Sequence, residues 1–274
     1  MARINRIKAD GLACYHVISR VANKAFLLKG SGIKRTMVNM LYRAAEFSGV
    51  EIVTSAVMDN HFHLCVQVPE KTEIPESEVI RRVGVLYGEE RMDVLVRRLA
   101  RFREEGDKAS ADAEIDRFRA RMGDLSEFMK TFKQRVTQWF NANHRHEGTL
   151  WSGRFKSVLV EDGMYLRNMV DYIHGNPVRA GIVSIPEDYE WCAPGAAARG
   201  DIRAKKGLSL VGRGGCGFGA RDGRLVNGVI VGSRGYVKRM ALDFAGCFKC
   251  NAVDVRFAVW GAFRMYMTHG QRSA

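Results

Sequence analysis

At 274 residues, 46% hydrophobic and with a formal net charge of +13, the chain is long enough for one large domain or two small ones and can bury a sizeable core. No run approaches the roughly 18 apolar residues of a membrane span, and the basic start MARINRIKADGLACYHV has no apolar stretch of the signal-peptide kind. The composition therefore points away from a membrane protein and towards a cytoplasmic one with a polyanionic partner.

In chain order, residues 14 to 20 (CYHVISR) read as a strand, followed by a turn at Asn23-Lys24. Residues 33 to 48 place Ile33, Val38, Met40, Leu41, Ala44, Ala45 and Phe47 roughly at helical spacing, and Gly49 is a fitting stop. EIVTSAVM is β-branched and strand-like. Asp59-Asn60 suits a two-residue turn, and HFHLCVQV is the returning strand of the hairpin. Residues 71 to 121 carry 12 Lys/Arg and 12 Asp/Glu. Ile80, Val83, Leu86, Val94, Leu95, Leu99 and Phe102 still recur at helical intervals there, so the spacing predicts a helical insertion on the surface; a charged, partly disordered loop is the alternative.

Asp124 with Glu127 fits a capping box before a helix from about 126 to 143. LWSGRFKSVLVED then reads as a loop and a short strand. Asp162 is placed to cap a helix from about 163 to 175, which Pro177 stops because Asn176 before a proline is biased away from the helical region. Strand, helix, strand, strand, helix, strand is the ferredoxin-like βαββαβ order, an α+β fold whose antiparallel sheet carries its helices on one face. From Arg199 to Ala274 there are 14 Lys/Arg against 4 Asp and no Glu, a balance of +10, which leaves +3 for residues 1–198. The chain thus divides into a domain at 1–192, with its insertion near 70–121, and a basic C-terminal extension at 199–274. Residues 229 to 245 read as a helix within it. Its Gly212-x-Gly214-x-x-Gly217 is not a dinucleotide fingerprint, because FGARDGR is a poor helix opening.

Six cysteines (14, 65, 192, 216, 247 and 250) without a secretory signal do not suggest disulfides. Cys247 and Cys250 alone have metal-like spacing, and read as a zinc half-site or as two small buried thiols. His61 and His63 alternate on one strand face with Cys65 and Gln67, while Phe62, Leu64, Val66 and Val68 form the opposite, apolar face. Two such imidazoles can share a metal ion, or simply line an exposed sheet face. Tyr172 and Asn176 are one helical turn apart. A phenol there can attack a phosphodiester and an amide oxygen can reach a metal; an ordinary half-buried tyrosine is the alternative. His174 faces elsewhere on the helix.

The segments VMDNHFHLCVQVP, FMKTFKQRVTQWFN, LWSGRFKS and YLRNMVDYIHGNPVRAGIV, in that order, closely resemble the HUH single-tyrosine transposases, in particular their REP-associated tyrosine transposase branch. The resemblance covers about residues 10 to 192 less the insertion. It implies His61 and His63 as metal ligands, Asn176 as the third ligand and Tyr172 as the catalytic nucleophile. It further implies a divalent ion, Mg²⁺ or Mn²⁺, and cleavage of single-stranded DNA beside a hairpin through a 5′-phosphotyrosine, with a free 3′-hydroxyl and rejoining by reverse attack. Relatives include dimers, so both monomer and homodimer are open. Candidate DNA contacts are Arg154 and Lys156 beside the short strand, Lys133 and Arg135 (with Lys130) on the preceding helix, and Trp151, with Phe155, as platforms for unpaired bases or as core. The basic extension is expected to grip phosphates. A catalytically silent hairpin-DNA-binding protein and an unrelated zinc hydrolase are the competing readings.

Overall fold

The computed structural model describes residues 8, 9, 11–211, 224–226 and 230–243. The central sheet begins with β1 (Ala13–Arg20), which leads through the tight turn at Ala22–Lys24 into α1 (Ser31–Ser48). Gly49, at φ 68°, closes α1 by donating its N–H to the Ala45 and Glu46 carbonyls, a left-handed cap that glycine adopts without strain. β2 (Glu51–Val57) and β3 (His61–Val68) form the expected hairpin, with the Met58 N–H donated to the His61 carbonyl at 2.8 Å across Asp59-Asn60. The charge-dense segment folds into α2 (Glu76–Tyr87), α3 (Glu89–Glu104) and α4 (Lys108–Arg119). The Asp124 carboxylate accepts the Ser126 and Glu127 N–H groups and starts α5 (Leu125–His144). β4 (Lys156–Val160) and α6 (Met164–His174) follow, then α7 (Asn176–Arg179), α8 (Ala193–Ala198), α9 (Ile202–Ser209), β5 (Arg224–Val226), β6 (Ile230–Gly232) and α10 (Arg234–Asp243).

The strand order is β2-β3-β1-β4-β6-β5. Its first four members are antiparallel neighbours and give the ferredoxin-like arrangement, so the fold is α+β as the sequence predicts. α1 and α5 lie on one face. That face holds the main core, where Tyr15 and Val17 of β1 and Phe62, Leu64 and Val66 of β3 meet Met37, Leu41 and Phe47 of α1 and Phe128, Phe132 and Val136 of α5. A bulge between Ile52 and Thr54 of β2 resets the alternation, so Ile52 and Val57 both reach this core although they are an odd number of residues apart.

α2 to α4 add Val79, Val83, Leu86, Leu99, Ile115 and Phe118 to the same core. Each buried aliphatic there contributes about 1.5–3 kcal/mol. The exposed ion pairs of the segment, such as Arg81–Glu46, contribute about 0.2–1 kcal/mol each. Apolar burial therefore fixes the segment, and its charges are the solvated outer surface.

α6 packs on the opposite face, setting Leu166, Val170 and Ile173 against Cys14, Val53, Ala56, Cys65 and Val160. The edge beside β2 is covered by a bridge from Ala56 to Cys192 and by α9, where a Cβ on Gly207 would collide with the Ile52 and Val53 carbonyl oxygens. At the other edge β6 runs parallel to β4, and β5 pairs antiparallel with β6. Part of the C-terminal extension thus completes the sheet. Residues 230–232, expected as helix, are strand because β4 offers Leu159 and Val160 as partners and their Ile230 and Val231 side chains become buried. Gly212, Gly214, Gly217, Cys216, Cys247 and Cys250 lie outside the described residues. Among those described, no helix is long and apolar enough to cross a membrane.

Candidate active site

Alternation along the two central strands builds one wall of the site. β1 turns Cys14, His16, Ile18 and Arg20 towards α6, and β3 does the same with His61, His63 and Cys65. Antiparallel register then sets Ile18 beside His63 and Arg20 beside His61. His16 and His63 are 1% and 2% exposed. Their rings stack at 5.2 Å between centroids, and His16 Nε2 and His63 Nδ1 share a hydrogen bond of 2.9 Å. His61 stands edge-on to His63 at 5.1 Å, and its Nδ1 is bonded to Asn60 Oδ1 at 2.6 Å.

α6 supplies the other wall. The Tyr172 ring is 5.9 Å from His63 and 6.0 Å from His16, edge-on to both. Its orientation follows from the end of the helix. Pro177 has no N–H to give the Ile173 carbonyl, and the Asn176 side-chain amide replaces it, donating to the carbonyls of Ile173 at 3.0 Å and Tyr172 at 3.1 Å. Arg179 donates to the Tyr172 carbonyl as well and lies over the Tyr172 ring, 4.5 Å from its centroid. The helix therefore ends at His174, and Asn176 and Pro177 open a separate short turn instead of Pro177 merely stopping a longer helix. Asp162 does not cap α6: it accepts the N–H of Gly163, which is itself the N-cap, with φ 75°. His174 turns away and bonds Thr54 Oγ1 at 2.8 Å, a structural role.

The charges follow from burial. Burial pushes His16 and His61 down to about 4, with Arg20 adding to the effect on His61 and Asp59 opposing it. His63 is held well below the usual histidine range by burial first, then by His16, His61, Arg20 and Arg179. All three imidazoles are neutral at pH 7. Burial raises the Tyr172 phenol, while Arg179 and Arg20 pull it back.

Neutral imidazoles are what a metal requires. Both candidate ligands already have Nδ1 engaged by a neighbour, which fixes ring orientation and makes Nε2 the nitrogen each would offer. The Asn176 amide nitrogen is spent on carbonyls, so Oδ1 is the atom left for a third position. These residues fit a divalent ion with a mixed nitrogen and oxygen shell. Among the described residues no group of three or more His, Cys, Asp or Glu side chains is arranged to hold one.

The expected DNA contacts separate. Lys156 is paired with Ile18, which is also paired with His63, so Lys156 and His63 lie in one row on the α6 face. Arg154 is exposed just before it. Lys133 is bonded to the Gly153 carbonyl at 2.7 Å and lies over the Trp151 ring, holding that loop to α5. Arg135 lies over Tyr87 of α2, on the α1/α5 side of the sheet, away from the site. Trp151 is not a platform for bases: it is 5% exposed, packs edge-on to Phe62 and donates its indole N–H to the Lys133 carbonyl. Phe155 is likewise core. In the extension, Arg199 is bonded to the Glu187, Asp188 and Gly195 carbonyls, Arg203 to Asp201 and Lys206 to Glu51, so these three cations serve the fold. Sequence reasoning passed over His16 and Arg20. The period-2 alternation of CYHVISR carried the signal, since it puts both on one face, but the partner strand's register was needed to see what they meet.

Three comparisons bear on this arrangement. The family model described as "Transposase IS200 like" matches residues 11–84, the stretch that supplies β1, α1, β2 and β3. No curated protein matches the chain. Among solved structures, the "Structure of the REP associates tyrosine transposase bound to a REP hairpin" is similar with a TM-score of 0.47 and 16% identity, covering 73% of this chain and 87% of that one. The matched residues 11–84 carry His16, Arg20, His61 and His63, so this part of the chain is similar to the IS200-like transposases.

Proposed function

We propose that the chain is a metal-dependent, single-strand DNA endonuclease and strand transferase of the REP-associated tyrosine transposase branch, cutting beside a DNA hairpin. The observation that carries this reading is the convergence of Tyr172 from α6 with His63 and His61 from β3 on one face of the sheet. The resemblance of HFH and YIHGNPVRAG to the HUH transposases supplies the chemistry for it. Tyr172 Oη is the nucleophile. It gives up its proton to solvent and bonds to phosphorus, the bond from phosphorus to the 3′ oxygen breaks, and that oxygen takes up a proton to leave as a 3′-hydroxyl. A 5′-phosphotyrosine remains, and reverse attack by a 3′-hydroxyl rejoins strands.

His61, His63 and Asn176 would hold the divalent ion, which when bound polarises the scissile phosphate as a Lewis acid. Asn60 and His16 keep the two imidazoles in place by their bonds to Nδ1. Arg179 fixes the Tyr172 ring and lowers the cost of its ionisation. Lys156 and Arg154 extend a basic path from the site for the DNA backbone, and the +10 balance of residues 199–274 adds electrostatic attraction for phosphates. Tyr172→Phe is the decisive test. Labelled single-stranded hairpin DNA with Mn²⁺ is expected to give a covalent adduct on a denaturing protein gel with the unmodified chain and none with the variant. Tight binding of the same DNA without an adduct would favour a silent hairpin-binding protein.

A further inference from the structure

Arg20 is a half-buried cation with no internal anion. Among the described residues it has no carboxylate partner and no side-chain hydrogen bond, and its backbone carbonyl alone is used, by the Ser152 N–H at 2.9 Å. Three other half-buried arginines differ: Arg82 is paired with Glu78, Arg121 is bonded to Tyr87 and Thr131, and Arg119 holds the Ile74 carbonyl; Arg135, which among the described residues has neither kind of partner, lies over the Tyr87 ring on the other side of the sheet. Removing a guanidinium from water without compensation is costly. Arg20 sits in register with His61, and its charge acts on His61, His63 and Tyr172 together. Arg179 reaches His63 and Tyr172 from the α6 side.

We propose that Arg20 is a further catalytic residue, binding a non-bridging oxygen of the scissile phosphate, with Arg179 closing the opposite side. The role rests on Tyr172 being the nucleophile. As the phenolate oxygen bonds to phosphorus and before the 3′ oxygen leaves, negative charge grows on the non-bridging oxygens, and a planar guanidinium fork matches them. A preorganised donor of this kind acts where charge develops and needs no rearrangement. Arg20 is held by a central strand, between β3 and β4, which supplies that rigidity.

The test compares hairpin DNA carrying an ordinary scissile phosphodiester with the same DNA carrying a methylphosphonate there, whose methyl group removes the charge that Arg20 would meet. On the phosphodiester, Arg20→Gln is expected to slow adduct formation by about 10²–10³-fold, with hairpin affinity and melting temperature close to those of the unmodified chain. On the methylphosphonate, the two proteins are expected to react at similar rates. Arg20→Lys, which keeps the charge but loses the fork, should fall between them on the phosphodiester. An equal loss on both substrates, or no loss on either, overturns the proposal. If the unmodified protein forms no adduct on either substrate, the nucleophile reading itself fails, and this role with it; that outcome is distinct because it shows before any Arg20 variant is made.

Discussion

The two faces of the sheet are built from the same strands and differ in almost everything else. On the α1/α5 face, β1 and β3 contribute Tyr15, Val17, Phe62, Leu64 and Val66 to a dry core that α2 to α4 extend. On the α6 face, alternate residues of the same strands are His16, Arg20, His61 and His63, with Tyr172 above them. One residue of displacement along a strand thus separates a core side chain from one on the face of the candidate site. The core face can bear the cost of burying the imidazoles opposite. The site face is held by hydrogen-bonded rings set beside the apolar packing of Leu166, Val170 and Ile173 from α6.

The sharpest way to break this comparison is to remove one group from each face. Tyr172→Phe should abolish covalent adduct while leaving hairpin affinity and melting temperature nearly unchanged, checked by denaturing gel and thermal unfolding. Phe62→Ala, from the other side of the same strand, should destabilise by about 3–5 kcal/mol, read as a shift of the denaturation midpoint. Phe62 packs against both Phe132 and Trp151, which cannot collapse fully into the space it leaves. If Tyr172→Phe unfolded the protein and Phe62→Ala did not, the division of labour between the faces would be wrong.

Acid should act through the site face. His16, His61 and His174 are pushed down to about 4 and His63 further, from an ordinary value of 6.5. The unfolded chain therefore binds protons that the folded chain refuses, and stability is full above about pH 6.5 and lost as pH falls towards 4. Each histidine adds a slope of up to about 1.4 kcal/mol per pH unit in that window. Denaturant midpoints measured from pH 7 to pH 4 should fall steeply, and a flat profile would contradict the buried, neutral state of the cluster.

Smaller effects sharpen the picture. Asn60→Ala removes the group that orients His61. It should raise the Mn²⁺ concentration needed for adduct formation by about 10–100-fold, with little change in melting temperature. Arg81→Ala breaks exposed pairs with Glu46 and Glu78 and should cost less than about 1 kcal/mol, which a careful denaturation series can check.

Much of this was legible in residue order. HFHLCVQV declared its two faces, the Asp59-Asn60 turn set the hairpin, and Asp124 with Glu127 marked the start of α5, because each of these signals is local. The Tyr172–Asn176 spacing was legible too, but what Asn176 does for the end of α6 was not, since it answers a missing proline N–H. Residue order left Trp151 and Arg135 open for one reason: a sequence shows an aromatic or a cation without showing which side of the sheet it reaches.

Local chemistry in the sequence determined the strands and helices, because alternation and capping act within a few residues; the choice of His61, His63 and Tyr172 as candidate site residues came from the resemblance of HFH and YIHGNPVRAG to the HUH transposases. Only the tertiary structure decided that His16 and Arg20 join them, that Trp151 is core, and that residues 230–232 extend the sheet. Those outcomes depend on register between distant strands and on which face a helix covers, and both are settled by burying apolar area across the whole chain.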